Sequence, residues 1–171
     1  LAHATSELIA ILDADDIAAP GRLAIQENLM EQYDDYTVLA CQCTPVLSAL
    51  TKGLKTSVRP RTVDPREFIK NNAICHSGAM IRSAALQDVG NYDAGRTELF
   101  DYDLWLRFAA QGCRIGILDI PLVFKRLHKG QNFERKRRLN YLCSAYRCKQ
   151  RALKLFPHSP FYRVYPIVTF L

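Results

Sequence analysis

Three carboxylates lie within four residues near the start of the chain, directly after an apolar run. Asp13, Asp15 and Asp16 follow the apolar residues 8–12. Carboxylates this close repel one another, and a bound divalent cation with hard oxygen ligands would offset that repulsion. A cation held there could grip a diphosphate. On these residues alone a second interpretation stays open, in which Asp16 caps the next helix and the other two are solvated turn residues.

The elements around these acids predict a strand–helix–strand unit. The apolar run favours a strand over residues 7–12 that is buried on both faces, as in a parallel sheet flanked by helices. Such strands carry ligands at their carboxyl ends, where the acids lie. Pro20 suits the first turn of a helix that continues to about Tyr33, and residues 37–43 have the pattern of the next strand.

Capping signals and apolar spacing predict the later elements. Asp64 and Glu67 can form a capping box for a short helix. Helical spacing predicts another helix that begins near Asp101, ends at Gly112 and places Trp105 in the core. The other predicted elements are an irregular loop at 45–61, strands at 76–82, 114–118 and 122–127, a helix that Ser83 caps and Gly90 ends, and a long basic helix at 133–156 with Leu139, Leu142, Tyr146, Leu153 and Phe156 on one face.

The composition is that of one globular domain. The 171 residues are 49% hydrophobic and 23% charged, which argues against disorder. The sequence has no apolar run long enough to span a bilayer and no signal-peptide pattern, so we expect a cytosolic location. The first residue is Leu1, and the first strand has almost nothing before it to pair with; we therefore expect that an N-terminal part of the natural protein is missing.

The positive charge and the cysteines are unevenly distributed. Of the net charge of +6, residues 125–154 carry +10 and the remainder −4, so the basic character belongs to the C-terminal part. Such a segment attracts anionic surfaces. The six cysteines form no C-x-x-C pair, which predicts reduced thiols in a core; zinc at Cys41, Cys43, Cys75 and His76 would need an unusual C-x-C pair.

Three separated segments resemble one family in order and spacing. They are Leu12-Asp13-Ala14-Asp15-Asp16 with Pro20 and Arg22-Leu23; Ser77-Gly78-Ala79-Met80-Ile81-Arg82 with Val89-Gly90-Asn91-Tyr92-Asp93; and Asp101-Tyr102-Asp103-Leu104-Trp105-Leu106-Arg107. Together they resemble the family 2 glycosyltransferases of the GT-A fold over about residues 1–128. The resemblance implies an α/β fold, a Rossmann-like sheet flanked by helices and incomplete at its N-terminus. Residues 1–130 would be the C-terminal part of the catalytic domain and 131–171 a basic helical extension.

The resemblance also implies roles for the acids. Asp15 would be the principal ligand of a divalent metal, Mn²⁺ or Mg²⁺, with Asp13 beside it at the nucleotide-sugar donor, while Asp16 caps the following helix. Asp101 matches the family's catalytic base, which deprotonates an acceptor hydroxyl so that the sugar is transferred with inversion. Where the family often has Glu before this Asp, the chain has Phe100.

A basic pair further along extends the implied site. Arg126 and His128 resemble the family's Arg-x-His ending, which would contact the phosphates or complete the metal shell. The implied donor is a UDP-sugar and the acceptor a glycan or lipid-linked hydroxyl, as in cell-wall or polysaccharide biosynthesis. The fragment alone would be inactive.

Two other functions stay open. The basic helix could make the chain a non-catalytic module that binds an anionic surface, at the inner face of a membrane with help from nearby aromatic residues, or nucleic acid. No recognition motif supports nucleic acid, and we expect none to bind. A nucleotidyltransferase would also place metal-binding acids at the end of a strand, but it would make a nucleotide sugar rather than consume one.

Overall fold

A computed structural model describes residues 4–45, 59–126 and 138–168. Within them the chain forms a mixed sheet with helices on both of its faces. The strands are β1 (Leu8–Ala10), β2 (Asp16–Ala18), β3 (Tyr36–Pro45), β4 (Arg61–Thr62), β5 (Ala79–Arg82) and β6 (Arg114–Lys125). The α-helices are α1 (Arg22–Gln32), α2 (Glu67–Lys70), α3 (Ser83–Asp88), α4 (Phe100–Ala110), α5 (Arg138–Leu155) and α6 (Val164–Val168), and 3-10 turns cover His76–Gly78 and Pro160–Arg163.

The sheet order is β1-β5-β3-β6-β2, with β4 also paired to β6. Of these pairs only β3 with β6 is parallel. The expectation that β1 is buried and parallel to its neighbours is not met among the described strands, where it pairs antiparallel with β5 and is partly exposed. The two strands predicted between residues 114 and 127 are one continuous strand as far as Lys125.

Local signals predicted the helices better than their caps. Helix α2 has the expected capping-box bond, because the Asp64 amide donates to Glu67 Oε1 at 3.0 Å. Ser83 begins α3 but makes no capping bond, so that prediction is wrong, while Gly90 follows the helix with a φ of +82° as expected. Helix α4 begins at Phe100, and Gly112 follows it with a φ of +75°.

The larger core cluster lies between the sheet and helices α2, α4 and α5. Trp105 is fully buried in it, as predicted. Helix α5 contributes Cys148 and Ala152, and Phe156 follows from the next turn. Leu139, predicted on the buried face of this helix, is 74% exposed, because the buried positions of the helix begin further along, at Ala145. A second cluster packs α1 against the other face of the sheet.

A disulfide joins Cys43 in β3 to Cys75 just before the first 3-10 turn. The prediction that all six cysteines are reduced is therefore wrong for these two, whose Cα atoms lie 6.2 Å apart. No spacing pattern indicated this pair, because the two cysteines are separated by 32 residues. Cys41 and Cys148 are free and buried, and Cys143 is free and exposed. None of the described helices is long and apolar enough to cross a membrane.

Candidate active site

The three acids lie in a tight turn between β1 and β2. The turn is closed by the Asp16 amide, which donates to the Asp13 carbonyl at 3.0 Å. Asp13 is exposed and Asp15 partly buried. Asp16 does not cap α1, because it belongs to β2 and pairs with Lys125 of β6, and the N-cap of α1 is Gly21. Its Oδ2 atom is buried without a hydrogen-bond partner in the structure.

Two buried polar residues of α1 fix the strand that leads into this turn. The Arg22 guanidinium donates to the Ile11 carbonyl at 2.8 Å and to the Gln26 side chain at 2.8 Å. The Gln26 amide in turn donates to the Gly78 carbonyl at 2.9 Å. Burial lowers the pKa of Arg22, and the neighbouring Cys41 partly offsets this. Sequence reasoning missed this network, although Arg22 and Gln26 stand four residues apart on one helix face.

Gly78 allows the backbone before β5 to lie close to β3. A Cβ atom at this position would lie 2.6 Å from the Cys41 carbonyl oxygen, well inside contact distance. Any larger residue would therefore displace β5 from β3. The close approach brings the preceding residue pair, His76 and Ser77, beside the acidic turn.

His76 connects the acidic turn to an aromatic cluster. Its Nδ1 atom lies 3.4 Å from Asp13 Oδ1, and its Nε2 atom lies 2.9 Å from the Tyr92 hydroxyl. Its ring also packs edge-on against Phe100, with 5.2 Å between the ring centroids. The sequence indicated His76 only as a possible zinc ligand beside three cysteines.

Tyr92 reports on both candidate carboxylates. Burial raises the pKa of Tyr92 above its ordinary value, and the negative charges of Asp101 and Asp13 raise it further. A carboxylate raises a phenol's pKa only when it lies close by. The contacts agree with this arrangement, because His76 contacts both Asp13 and Tyr92. Tyr92 also packs against Phe100, the neighbour of Asp101, so that the two acids lie near each other although they are 88 positions apart in the sequence.

Asp101 occupies the first turn of α4, as predicted. The positive end of the helix dipole favours a carboxylate there. Its Oδ2 atom accepts a hydrogen bond from Asn72 Nδ2 at 2.7 Å. Asn72 was not among the predicted site residues, because nothing in the local sequence links it to a helix 29 residues further on.

A largely apolar cleft of about 550 Å³ adjoins these groups. Strand β1 and the residues after it form one wall, and Phe100, which is 37% exposed, contributes to the other. Its remaining lining residues are His76, Tyr92, Asp93, Ala94 and Arg96. The aromatic ring of Phe100 thus lies beside the cleft, at the position where the family 2 glycosyltransferases that the sequence resembles often have a glutamate.

Two further acids near α4 are buried and paired. Asp103 is almost fully buried and binds three arginines, Arg96 at 3.1 Å, Arg107 at 2.9 Å and Arg151 of α5. Glu98 is buried and accepts a hydrogen bond from Ser144 at 3.3 Å. Their partners leave these two carboxylates with a structural role, and Asp101 is the acid of this segment that is bound by an amide and not by a cation.

The remaining predicted site residues are placed in part. Arg126 is exposed and directly follows β6, whose last residue pairs with Asp16, so it lies close to the acidic turn. His128 lies outside the described residues. Within the described part of the chain, no group of three or more His, Cys, Asp or Glu side chains is arranged to hold a metal ion.

The mixed sheet and its flanking helices define the class of fold. The chain superposes on the crystal structure of S. aureus TarS residues 1–349 in complex with UDP-GlcNAc with a TM-score of 0.64. The superposition covers 99% of this chain and 49% of that one at 14% identity. TarS is a GT-A type glycosyltransferase, and the predicted GT-A fold class is confirmed.

The chain belongs to glycosyltransferase family 2, whose family model, Glycosyl transferase family 2, matches residues 1–90. It is 31% identical over 116 residues to the putative glycosyltransferase EpsE of Bacillus subtilis, covering 67% of this chain and 41% of that protein. It is 29% identical over 148 residues to the uncharacterized glycosyltransferase MJ1057 of Methanocaldococcus jannaschii, covering 85% and 51%. The chain thus spans about half the length of these relatives or less.

Proposed function

We propose that this chain carries two parts of the active site of an inverting glycosyltransferase, the acids that bind the donor diphosphate and the general base. It would move a sugar from a nucleotide-diphosphate sugar, a UDP-sugar, to a hydroxyl of a glycan or lipid-linked acceptor. The observation that carries the proposal is that His76 joins the two acids beside one cleft. Its ring contacts Asp13 on one side and packs on Phe100, the neighbour of Asp101, on the other. Membership of the family and the UDP-GlcNAc bound to the structurally similar TarS support a nucleotide-sugar donor.

The two carboxylates would serve opposite ends of one displacement. Asp101 takes the proton of the acceptor hydroxyl while that oxygen forms a bond to the anomeric carbon. The bond from the anomeric carbon to the diphosphate breaks on the opposite face, and its electron pair leaves with the nucleoside diphosphate. One inversion follows. Within the cleft, the helix N-terminus of α4 favours the ionised form of the base.

The acidic turn fits a metal that is shared with the donor. Asp15 and Asp13 offer hard oxygen ligands, and Asp16 leaves a buried oxygen without a partner beside them. Because Mg²⁺ is commonly held by one or two carboxylates plus substrate phosphates, the lack of a three-ligand protein cage among the described residues agrees with such a site. A metal bound there would neutralise charge on the departing diphosphate. Arg126 would add a cation near the same phosphates.

The proposal is tested by separating binding from transfer in the full-length protein. Asp101→Asn should abolish sugar transfer and leave UDP binding in the presence of Mn²⁺ unchanged, because the base is needed only for the chemical step. Asp15→Ala should remove the Mn²⁺-dependent part of UDP binding, which is measured by calorimetry and compared with a separate titration with GDP. Asp88→Asn, at an exposed site in α3, is the matched control. Retained turnover in Asp101→Asn contradicts the assignment.

The C-terminal surface supports peripheral contact with a membrane. Phe161 is 86% exposed and Ile167 62% exposed, and Arg163 is exposed between them. An apolar and basic surface of this kind suits the headgroup region of an anionic bilayer. We propose that the transferase works in the cytoplasm, at the inner face of the membrane where a lipid-linked acceptor would be presented, and this surface supports the membrane contact.

A further inference from the structure

The environment of Asp101 is built by a residue from another element. Asn72 follows α2 and places its side-chain amide 2.7 Å from Asp101 Oδ2. An ionised carboxylate can only accept, so the amide nitrogen of Asn72, and not its oxygen, must face Asp101. The other end of the amide, Oδ1, is buried without a hydrogen-bond partner in the structure. Among the described residues, the side chain of Asn72 therefore makes one hydrogen bond, which is the bond to Asp101.

This bond makes the two oxygens of Asp101 unequal. Oδ2 is occupied by the Asn72 donor, which leaves Oδ1 as the oxygen that can receive a proton from an acceptor hydroxyl. The donor also prevents the carboxylate from turning about its terminal torsion, which is otherwise broad for Asp. A general base needs both a free lone pair and a fixed direction.

The elements that carry the pair are fixed to each other directly beneath it. Tyr102, next to Asp101 in α4, donates a hydrogen bond from its hydroxyl to the Phe68 carbonyl of α2. The Phe68 and Tyr102 rings are also neighbours, with their centroids 6.4 Å apart, and both are buried. A shift of α2 relative to α4 would have to break this contact, so the Asn72–Asp101 distance is set by the core.

We propose that Asn72 is a positioning residue, which holds the Asp101 carboxylate with Oδ1 directed at the acceptor hydroxyl. This inference rests on the proposed function, since it assigns Asn72 a task only if Asp101 is the base. In this chain Phe100 stands where the family often has a glutamate beside the base, and Asn72 supplies a polar contact to Asp101 from the segment after α2.

The test compares two substitutions of Asn72 in the full-length protein. Asn72→Ala removes the donor, and Asn72→Asp keeps the shape but replaces the donor by a like charge. Because misplacing a reacting group by about 1 Å can cost about 100-fold, we expect kcat to fall about 10- to 100-fold in Asn72→Ala and further in Asn72→Asp. The KM for the donor and the Kd for UDP with Mn²⁺ should change less than about twofold, since neither involves the base.

Two controls separate positioning from folding and from the base assignment. Asn71→Ala changes the same residue type at the exposed neighbouring position and should keep full turnover. The double variant Asn72→Asp with Asp101→Asn restores one amide–carboxylate bond and should recover the thermal stability of the native pair without recovering turnover.

The outcomes are distinct. An unchanged kcat in Asn72→Ala, with Asp101→Asn inactive, overturns the positioning role and leaves the proposed function standing. Retained turnover in Asp101→Asn overturns both. A kcat in Asn72→Asp equal to that of the native protein also overturns the inference, because a residue that only fills space tolerates an isosteric change.

Discussion

Hydrogen-bonding chemistry indicates which ring nitrogen of His76 carries the proton beside the acidic turn. Asp13 can only accept, so the Nδ1 atom of His76 must carry the proton in the contact between them. In the neutral ring Nε2 is then an acceptor, and the Tyr92 hydroxyl donates to it. The three side chains form a chain of donors that runs from the phenol to the carboxylate. We expect it to hold Asp13 in place.

Removal of His76 should therefore weaken the metal-dependent step of binding. Partners that orient a ligating group typically contribute about 10- to 100-fold to metal affinity, and we expect His76→Ala to weaken Mn²⁺-dependent UDP binding about tenfold by calorimetry. His76→Asn can keep a donor near Asp13 and should recover part of the loss. His158→Ala, near the C-terminus of α5, should leave binding unchanged. Equal affinity in His76→Ala and the native protein would contradict the proposed orientation.

Tyr92 gives a prediction on pH. Its pKa is raised in the folded protein, chiefly by burial, so the fold favours the protonated phenol. The resulting stability is complete below the unfolded pKa of about 10 and is lost as the pH rises above it. The free energy of unfolding should fall above pH 10, and the fall should be shallower in Tyr92→Phe. Tyr102, Cys41 and Cys148, whose pKa values burial also raises, contribute to the remaining fall. Urea titrations between pH 8 and pH 11 give the measurement. Equal slopes in the two proteins would show that Tyr92 ionises freely.

The local signals predicted helices at the element scale and failed for the sheet. Gly112 and the apolar spacing before it located α4, because a helix is specified by neighbours in sequence. The edge position of β1 depends on its pairing with β5, some 70 residues later, and its apolar run gave no sign of that. Asp101 was likewise placed correctly at a helix start, because that placement depends on local sequence. Its contact with Asn72 was not predicted, because it is set by the packing of α2 on α4.

The disulfide is an element-scale constraint that can be measured directly. It closes a chain segment of 32 residues between β3 and the turn that carries His76. In the loop-entropy description such a closure stabilises by about 3 to 4 kcal/mol. Cys75→Ser should lower the free energy of unfolding by about that amount without reductant, and the difference from the native protein should vanish in dithiothreitol.

Cys143→Ser is the matched control for that comparison, because Cys143 is a free and exposed thiol of α5. It should leave the free energy of unfolding unchanged in both conditions. A Cys75→Ser variant that is as stable as the native protein without reductant would mean that the disulfide does not form in solution.

For the whole molecule, the basic helix is packed as part of the fold. Residues 131–171 were predicted as an extension beyond residue 130, and that boundary stays a prediction. Helix α5 nevertheless contributes Cys148 and Ala152 to the main core, and its Arg151 joins Arg96 and Arg107 on the buried Asp103. One carboxylate thereby connects α4, the loop before it and α5. The positive charge of this segment is in part structural and not wholly available to an anionic partner.

Replacement of that carboxylate should therefore weaken the molecule as one unit. Asp103→Asn removes the carboxylate that three arginines share, although Arg96 keeps Asp93 at 3.4 Å. Breaking a buried pair costs about 3 to 5 kcal/mol. We expect about 3 kcal/mol, because Arg151 is 42% exposed and water can solvate it. Asp88→Asn should be neutral.

Urea unfolding can be followed by the fluorescence of Trp105, the single tryptophan, and by helical circular dichroism. Coincident transitions in the native protein and in Asp103→Asn would show that α5 unfolds together with the core, since Trp105 reports on the core and α5 is the longest of the described helices. An earlier loss of circular dichroism would instead show that α5 is an independent extension, as residues 131–171 were first predicted to be.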